Sequence, residues 1–308
     1  MSGKKVLITG GFGNLGSWLS EYFSNMGYEV FILSKNIRDS IYRIIQADIS
    51  DFNDLSGKLK DIDFDYVIHT ASYNEFFHKN YYQKALLVNT LGTRNLIEIF
   101  KDKSIKKFIY LSTFHIYGKS SGVINEDTTP NPNNDYASTH LFAEYYLKQF
   151  YSTHNFPYVT FRLTNSYGSP KSIDSSKWYL VLNDLAKSAF LDKKIILKGN
   201  GKAIRDFIHI TDVCSVIEKS FEFKPNSILN LSSNKTYSML YLAKKVQLVY
   251  NKIYNKELEI IINKEDKTDT KILSVDNSRL KSLIDIKFSN RFEEEISNIF
   301  NLLEQNYG

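Results

Sequence analysis

A chain of 308 residues, 43% hydrophobic and 24% charged, has the composition of an ordinary globular protein and can bury a large core. Its net charge of +5, from 39 Lys and Arg against 34 Asp and Glu, is scattered along the chain, so no basic stripe of a nucleic-acid binder is present. A single cysteine, Cys214, excludes an intrachain disulfide and a cysteine metal cage. The histidines fall at no metal-ligand spacing, so no metal is expected.

Lys4-Lys5 leads straight into the apolar run Val6-Leu7-Ile8, with no signal-peptide pattern before it. No apolar stretch reaches the ~20 residues of a membrane span, so the expected location is the cytoplasm. Val6–Thr9 reads as a buried strand and Ser17–Met26 as a helix stopped at Gly27. Strands follow at Glu29–Leu33, Ile44–Gln46 and Tyr66–His69, then a helix over Tyr81–Phe100. Phe108–Leu111 is a strand, Asp135–Phe150 a helix and Tyr158–Leu163 a strand. Such alternation predicts an α/β fold around a doubly wound parallel sheet. Beyond residue 166 the segments shorten, with late strands at Asp206–Ile210 and Ile228–Leu231. From Leu240 the pattern is mainly helical, and Asn263–Lys271 reads as an exposed loop. This half predicts a smaller mixed α/β lobe that returns in part to the main sheet.

The segment Gly10-Gly11-Phe12-Gly13-Asn14-Leu15-Gly16 follows the first strand and opens the first helix. Gly10 permits a sharp turn, Gly13 a close approach of backbone to a diphosphate, and Gly16 tight packing of helix on strand. The helix N-terminus then offers free N–H groups to phosphate. In that context the glycines predict a dinucleotide site rather than a simple turn.

The spacing G-x-x-G-x-x-G resembles the short-chain dehydrogenase/reductase superfamily, and further segments resemble its extended branch of NAD-dependent epimerases and dehydratases. Ala47-Asp48-Ile49, His69-Thr70-Ala71-Ser72 and Val88-Asn89-Thr90-Leu91-Gly92-Thr93-Arg94-Asn95 are similar to its cofactor-lining segments. Leu111-Ser112-Thr113, Tyr136, Arg162-Leu163-Thr164-Asn165 and Arg205-Asp206-Phe207-Ile208-His209 continue the likeness to about residue 235. The resemblance implies a Rossmann-type domain over residues 1–165, with 206–235 returning to it. Residues 166–205 and 236–308 would form a nucleotide-sugar lobe, and the assembly would be a homodimer or higher oligomer. It also implies that Gly10, Gly13, Asn14, Leu15, Gly16, Ser34, Asp48, Ile49, Thr70, Ala71, Ser72 and Asn89 line the cofactor, together with Tyr136 and His140. The resemblance points to NAD. Neutral Ser34 and basic Lys35, where an acidic residue would mark NAD, leave NADP open on the residues alone.

In the resembled family a Tyr phenolate takes the hydroxyl proton of the sugar, helped by a Ser or Thr. The matching residues are Tyr136 and Thr113. A Lys four residues after the Tyr normally lowers its pKa. Here that position is His140, which is mostly neutral at pH 7 and stabilises a phenolate far less. Three readings follow: His140 substitutes for the Lys, His115 carries part of the proton transfer, or hydride chemistry is lost and a cofactor-binding regulator remains. Retention of Thr113 and Tyr136 favours the first. By the same resemblance Thr113, His115, Asn165 and Arg205 touch substrate, with Lys177, Trp178 and Tyr179 in a segment that covers it.

The expected activity is oxidation of a nucleotide-activated sugar at ring C4. The chain is similar to surface-polysaccharide enzymes of bacteria, including GDP-heptose 4-dehydrogenases of capsule biosynthesis. A 4-epimerase or ketoreductase is the alternative. Dehydration is disfavoured because Phe114-His115 stand after Thr113, where an acidic pair is expected.

Overall fold

The computed structural model describes residues 3–75 and 78–308. The first half runs β1 (Lys5–Thr9), α1 (Asn14–Asn25), β2 (Glu29–Ser34), β3 (Arg43–Gln46), α2 (Phe52–Leu59) and β4 (Tyr66–His69). It continues with α3 (Tyr81–Ala85), α4 (Thr93–Phe100), β5 (Lys107–Thr113), β6 (Gly122–Ile124), α5 (Asp135–His154) and β7 (Tyr158–Leu163). The second half holds β8 (Asn165–Tyr167), α6 (Val181–Asp192), β9 (Lys194–Leu197), β10 (Ile204–His209), α7 (Ile210–Lys219) and β11 (Ser227–Leu231). Last come β12 (Thr236–Ser238), α8 (Met239–Tyr254), β13 (Glu259–Ile262), β14 (Leu273–Val275), α9 (Ser278–Lys281) and α10 (Phe292–Tyr307).

Seven parallel strands form the main sheet in the order β11-β7-β5-β4-β1-β2-β3. The central strands are apolar because both faces are covered. Val6 and Ile8 point into a core shared with α1 and α7, while Leu7 points into one shared with α2, α4 and α5. From β1 the chain builds outward through β2 and β3, then returns to place β4 on the other side. That reversal opens a crevice over the C-terminal ends of β1 and β4, the place where such sheets bind ligands.

A third core lies among α6, α8, α10 and β9. Within residues 236–308, β14 pairs with β6, and Leu280 and Phe288 join the core of α1 and α7. The stretch between Leu273 and Phe288 therefore lies against the main-sheet body. Two buried contacts tie the elements together: an ion pair of Arg162 with Glu144 at 2.8 Å, and a hydrogen bond between His209 Nε2 and Glu295 Oε1 at 2.9 Å. Among the described residues no helix is long and apolar enough to cross a membrane.

Several expectations shift. Helix α1 starts at Asn14, three residues before Ser17, because extended Gly13 serves as its N-cap. The helix expected over Tyr81–Phe100 follows that path but carries a π-helical segment at Leu86–Gly92 between α3 and α4. The strand expected at Asp206–Ile210 is Ile204–His209. There the His209 side chain accepts from Thr211 N and caps α7, so Ile210 is already helical. The region after Leu240 is not helical throughout: β13 pairs with β9 and β14 with β6. Residues 263–271 form the expected loop.

Candidate active site

The glycine segment folds as its residues require. Gly10 has φ +69°, and a Cβ there would meet Ala71 backbone at 2.9 Å. A Cβ on Gly16 would lie 2.2 Å from Gly10 O, so helix α1 can pack this closely only without a side chain. The first turn of α1 has no side-chain cap and no acidic residue, which leaves its N–H groups to an anion. Asn14 Oδ1 is buried without a hydrogen-bond partner, an acceptor that a ribose hydroxyl would satisfy. These features fit a dinucleotide diphosphate. When bound, the nicotinamide supplies the acceptor for the pair of electrons leaving a carbinol.

At the adenosine end, Lys35 Nζ lies 2.7 Å from Asp48 Oδ2, and Ser50 donates to Asp48 Oδ1. Against the upward pull of partial burial, Lys35 and Ser50 hold the Asp48 carboxyl below its usual range. The Lys35 ammonium thus has a partner in Asp48. Arg38 stacks over Phe12 at 5.9 Å and joins Gly13, Asn14 and Lys171 around a cleft of about 700 Å³.

The turn after β4 is held from below. Thr70 Oγ1 donates to Thr9 O, and Ala71 N donates to Thr9 Oγ1. Asn89 is saturated: its Oδ1 accepts from Tyr73 N at 2.6 Å, and its Nδ2 donates to Tyr73 O and Thr139 Oγ1. It clamps the turn carrying Ser72 to α5. Ile49 is buried against Gly92, where a Cβ would sit 2.7 Å from it, and Leu15 packs on the core below the crevice.

Helix α5 presents Tyr136, His140 and Glu144 four residues apart on one face. Asn134 Oδ1 accepts from Ala137 N at 2.9 Å and fixes the helix start one turn before His140. Tyr136 and Thr113, at the end of β5, come together. Burial lifts the Tyr136 phenol to about 12 in the protein alone, while Thr113 and Ser72 side chains pull it down. His140 does not face solvent. Its Nδ1 is 2.7 Å from Tyr110 Oη and its Nε2 is 3.1 Å from Ser72 Oγ. The His140 ring lies 4.6 Å from that of Tyr136. Burial, with His115 nearby, holds His140 at about 3, so it is neutral at pH 7. The position thus brings no positive charge to Tyr136.

The substrate side is assembled only in part. His115 sits at the rim, 6.4 Å ring-to-ring from Tyr136, and desolvation and the Arg205 guanidinium lower its pKa. Arg205 is exposed; its chain neighbour Asp206 is buried and bonded to Thr164, Ser232 and Ser233, so the two do not pair. Asn165 Nδ2 donates to Asp206 O at 2.8 Å, which leaves its second N–H and its Oδ1 for a ligand such as a sugar hydroxyl. Lys177 Nζ and Tyr179 Oη both donate to Asn74 Oδ1, which closes this segment over the turn beside Ser72. Trp178 instead packs into the lobe core and donates to Ile173 O. Ser72 as a link between Tyr136 and His140, and Tyr110 beneath it, were not singled out from sequence as a unit. Their only signal there was the turn after the fourth strand.

The family described as NAD dependent epimerase/dehydratase matches residues 6–232. The chain belongs to this family. Its members are NAD-dependent enzymes. Among curated relatives, a dTDP-D-glucose 4,6-dehydratase of Dictyostelium discoideum is 29% identical over 280 residues, with 79% of this chain and 61% of the relative covered. The chain thus spans less than two thirds of that relative. A GDP-6-deoxy-D-talose 4-dehydrogenase of Aggregatibacter actinomycetemcomitans is 25% identical over 85% of this chain and 86% of its own. In fold, the chain is similar to a UDP-glucuronic acid 4-epimerase from Bacillus cereus solved with UDP-glucuronic acid and NAD. The TM-score is 0.80 at 24% identity, covering 98% of this chain and all of the other.

Proposed function

We propose that the protein oxidises a nucleotide-activated sugar at ring C4 with NAD, and that the sugar is a GDP-linked heptose or close analogue made for a surface polysaccharide. The observation that carries this reading is the meeting of Thr113 and Tyr136 at the end of β5, beside the glycine-lined helix N-terminus. Tyr136 takes the C4 hydroxyl proton, Thr113 holds that hydroxyl in line, and Arg205 with His115 sits where the nucleotide diphosphate would lie. Asn165 Oδ1 receives a sugar hydroxyl. The dehydrogenase relative supports net oxidation of a GDP-sugar. The dehydratase relatives favour elimination, but no carboxylate follows Thr113; Phe114 and His115 stand there.

Leu86, Leu87 and Leu91 on the π-helical segment and Phe142 and Tyr145 on α5 are exposed apolar side chains. They support pairing of two copies through these helices. One preparation tests both points. With NAD and a panel of GDP-, UDP- and dTDP-sugars, the reduced-nicotinamide absorbance is expected to rise with a GDP-sugar, from a particle of twice the chain mass by light scattering. No absorbance change with any sugar, alongside a product inverted at C4, would replace the oxidation reading by the 4-epimerase one. No change and no product would leave a cofactor-binding regulator.

A further inference from the structure

The position that brings no charge to Tyr136 is built into a line of hydrogen bonds with a readable direction. Tyr110, on β5, is fully buried, and its shortest polar contact is His140 Nδ1 at 2.7 Å. A buried phenol needs an acceptor for its proton, because an unpaired buried donor carries its full desolvation penalty. Thr93 donates its own proton to Asn89 O and its oxygen takes His69 Nε2 at 2.8 Å, whereas the hydrogen-bond partner of Tyr110 Oη is His140 Nδ1. Tyr110 O–H therefore points at His140 Nδ1. A neutral imidazole that accepts at Nδ1 carries its proton on Nε2. That nitrogen lies 3.1 Å from Ser72 Oγ, so Ser72 accepts from it. That leaves the Ser72 proton free on the side of Tyr136, whose ring lies 4.6 Å from that of His140 and whose phenol the Ser72 hydroxyl pulls down.

We propose that Tyr110, His140 and Ser72 form a one-directional donor chain: Tyr110 O–H to His140 Nδ1, His140 Nε2–H to Ser72 Oγ, and Ser72 O–H to the Tyr136 phenolate. Aligned dipoles in a dry core polarise one another. The chain stabilises the phenolate without a formal charge and takes the place of the lysine of the resembled family. No covalent bond changes within it; only the hydrogen bonds shorten as Tyr136 ionises. Tyr110 and His140 are positioning residues, acting on the reaction through Ser72. The opposite orientation, His140 Nδ1–H to Tyr110, would turn Ser72 O–H toward Nε2 and away from Tyr136. The inference rests on the reading of Tyr136 as the base, but its first test does not need turnover.

Nitrogen NMR of the protein labelled with ¹⁵N-histidine reads the tautomer directly, with the His140 signals assigned by their loss in His140→Gln. The expected result at pH 7 is a protonated, pyrrole-type Nε2 and a pyridine-type Nδ1. A protonated Nδ1, or a doubly protonated ring, overturns the chain. The second test follows Tyr136 ionisation by ¹³Cζ-tyrosine NMR in the NAD-saturated protein. In Tyr110→Phe the Tyr136 pKa should rise by about one unit, a tenfold smaller phenolate fraction on the acidic side. An unmoved Tyr136 titration overturns the tuning role even where the tautomer is as drawn. A failure of the sugar-oxidation reading would show in the substrate panel and leave both spectra unchanged.

Discussion

Tyr136→Phe is expected to lower turnover by roughly 10²–10⁴-fold, the usual contribution of a positioned general base, while the dinucleotide stays bound. The phenyl ring keeps the edge contacts that Tyr136 makes with His115 and His140, so the face of α5 is preserved. Only the oxygen is lost, and with it the group at which Thr113 and Ser72 converge. The direction with pH follows from the raised phenol. Below the apparent pKa of Tyr136 the reactive phenolate grows about tenfold per pH unit, so sugar oxidation should climb with pH. In the Phe variant the residual rate should lose that slope. Initial rates across pH, with bound cofactor quantified in both proteins, decide it. Unchanged turnover would remove Tyr136 as the base.

Glu144→Ala should destabilise the fold by ~3–5 kcal/mol, because it strands a buried guanidinium. Arg162 Nη2 lies 2.8 Å from Glu144 Oε2 and its Nε 3.2 Å from Oε1, with both side chains almost wholly shielded from water. Ser112 donates to the same carboxylate at 2.6 Å, and Tyr117 Oη, itself bonded to Asn230, receives Arg162 Nη1 at 2.9 Å. The pair therefore joins α5 to β5, β7 and β11 along the face of α5 that carries Tyr136 and His140. Chemical denaturation of the two proteins measures the loss. Glu144→Gln, which keeps an acceptor, should lose less. A Glu144→Ala change below about 1 kcal/mol would mean that Arg162 finds water or another partner.

The main sheet was legible because its strands are buried on both faces. Runs such as Val6-Leu7-Ile8 and Tyr66-Val67-Ile68-His69 leave little alternative, and the glycine segment declared its turn by its spacing. The second half was less legible for a physical reason. Strands β9, β13 and β14 are three or four residues long and exist only through partners distant in sequence. Leu86, Leu87 and Leu91 show a different limit: helical periodicity gives an apolar face, but not whether a core or solvent meets it. At the site, Tyr136 and Thr113 were readable as a pair, and the loss of a lysine at His140 was visible. What His140 does instead was not, because its partners come from β5 and from the turn after β4, 30 and 68 residues away. Lys35 reads as a free cation in sequence and is an ion pair in the fold. Asn89 reads as a cofactor ligand, and in the fold its amide also bonds Tyr73 and Thr139.

In the proposed oxidation, hydrogen leaves ring C4 for the nicotinamide and does not return. This is tested most directly with a GDP-sugar carrying deuterium at C4, incubated with the protein and NAD, followed by mass analysis of cofactor and sugar. Deuterium is expected in the released reduced cofactor, with a keto sugar one deuterium mass lighter beyond the loss of its hydroxyl proton. Deuterium retained at C4 of an inverted sugar, with the cofactor unlabelled, would contradict it.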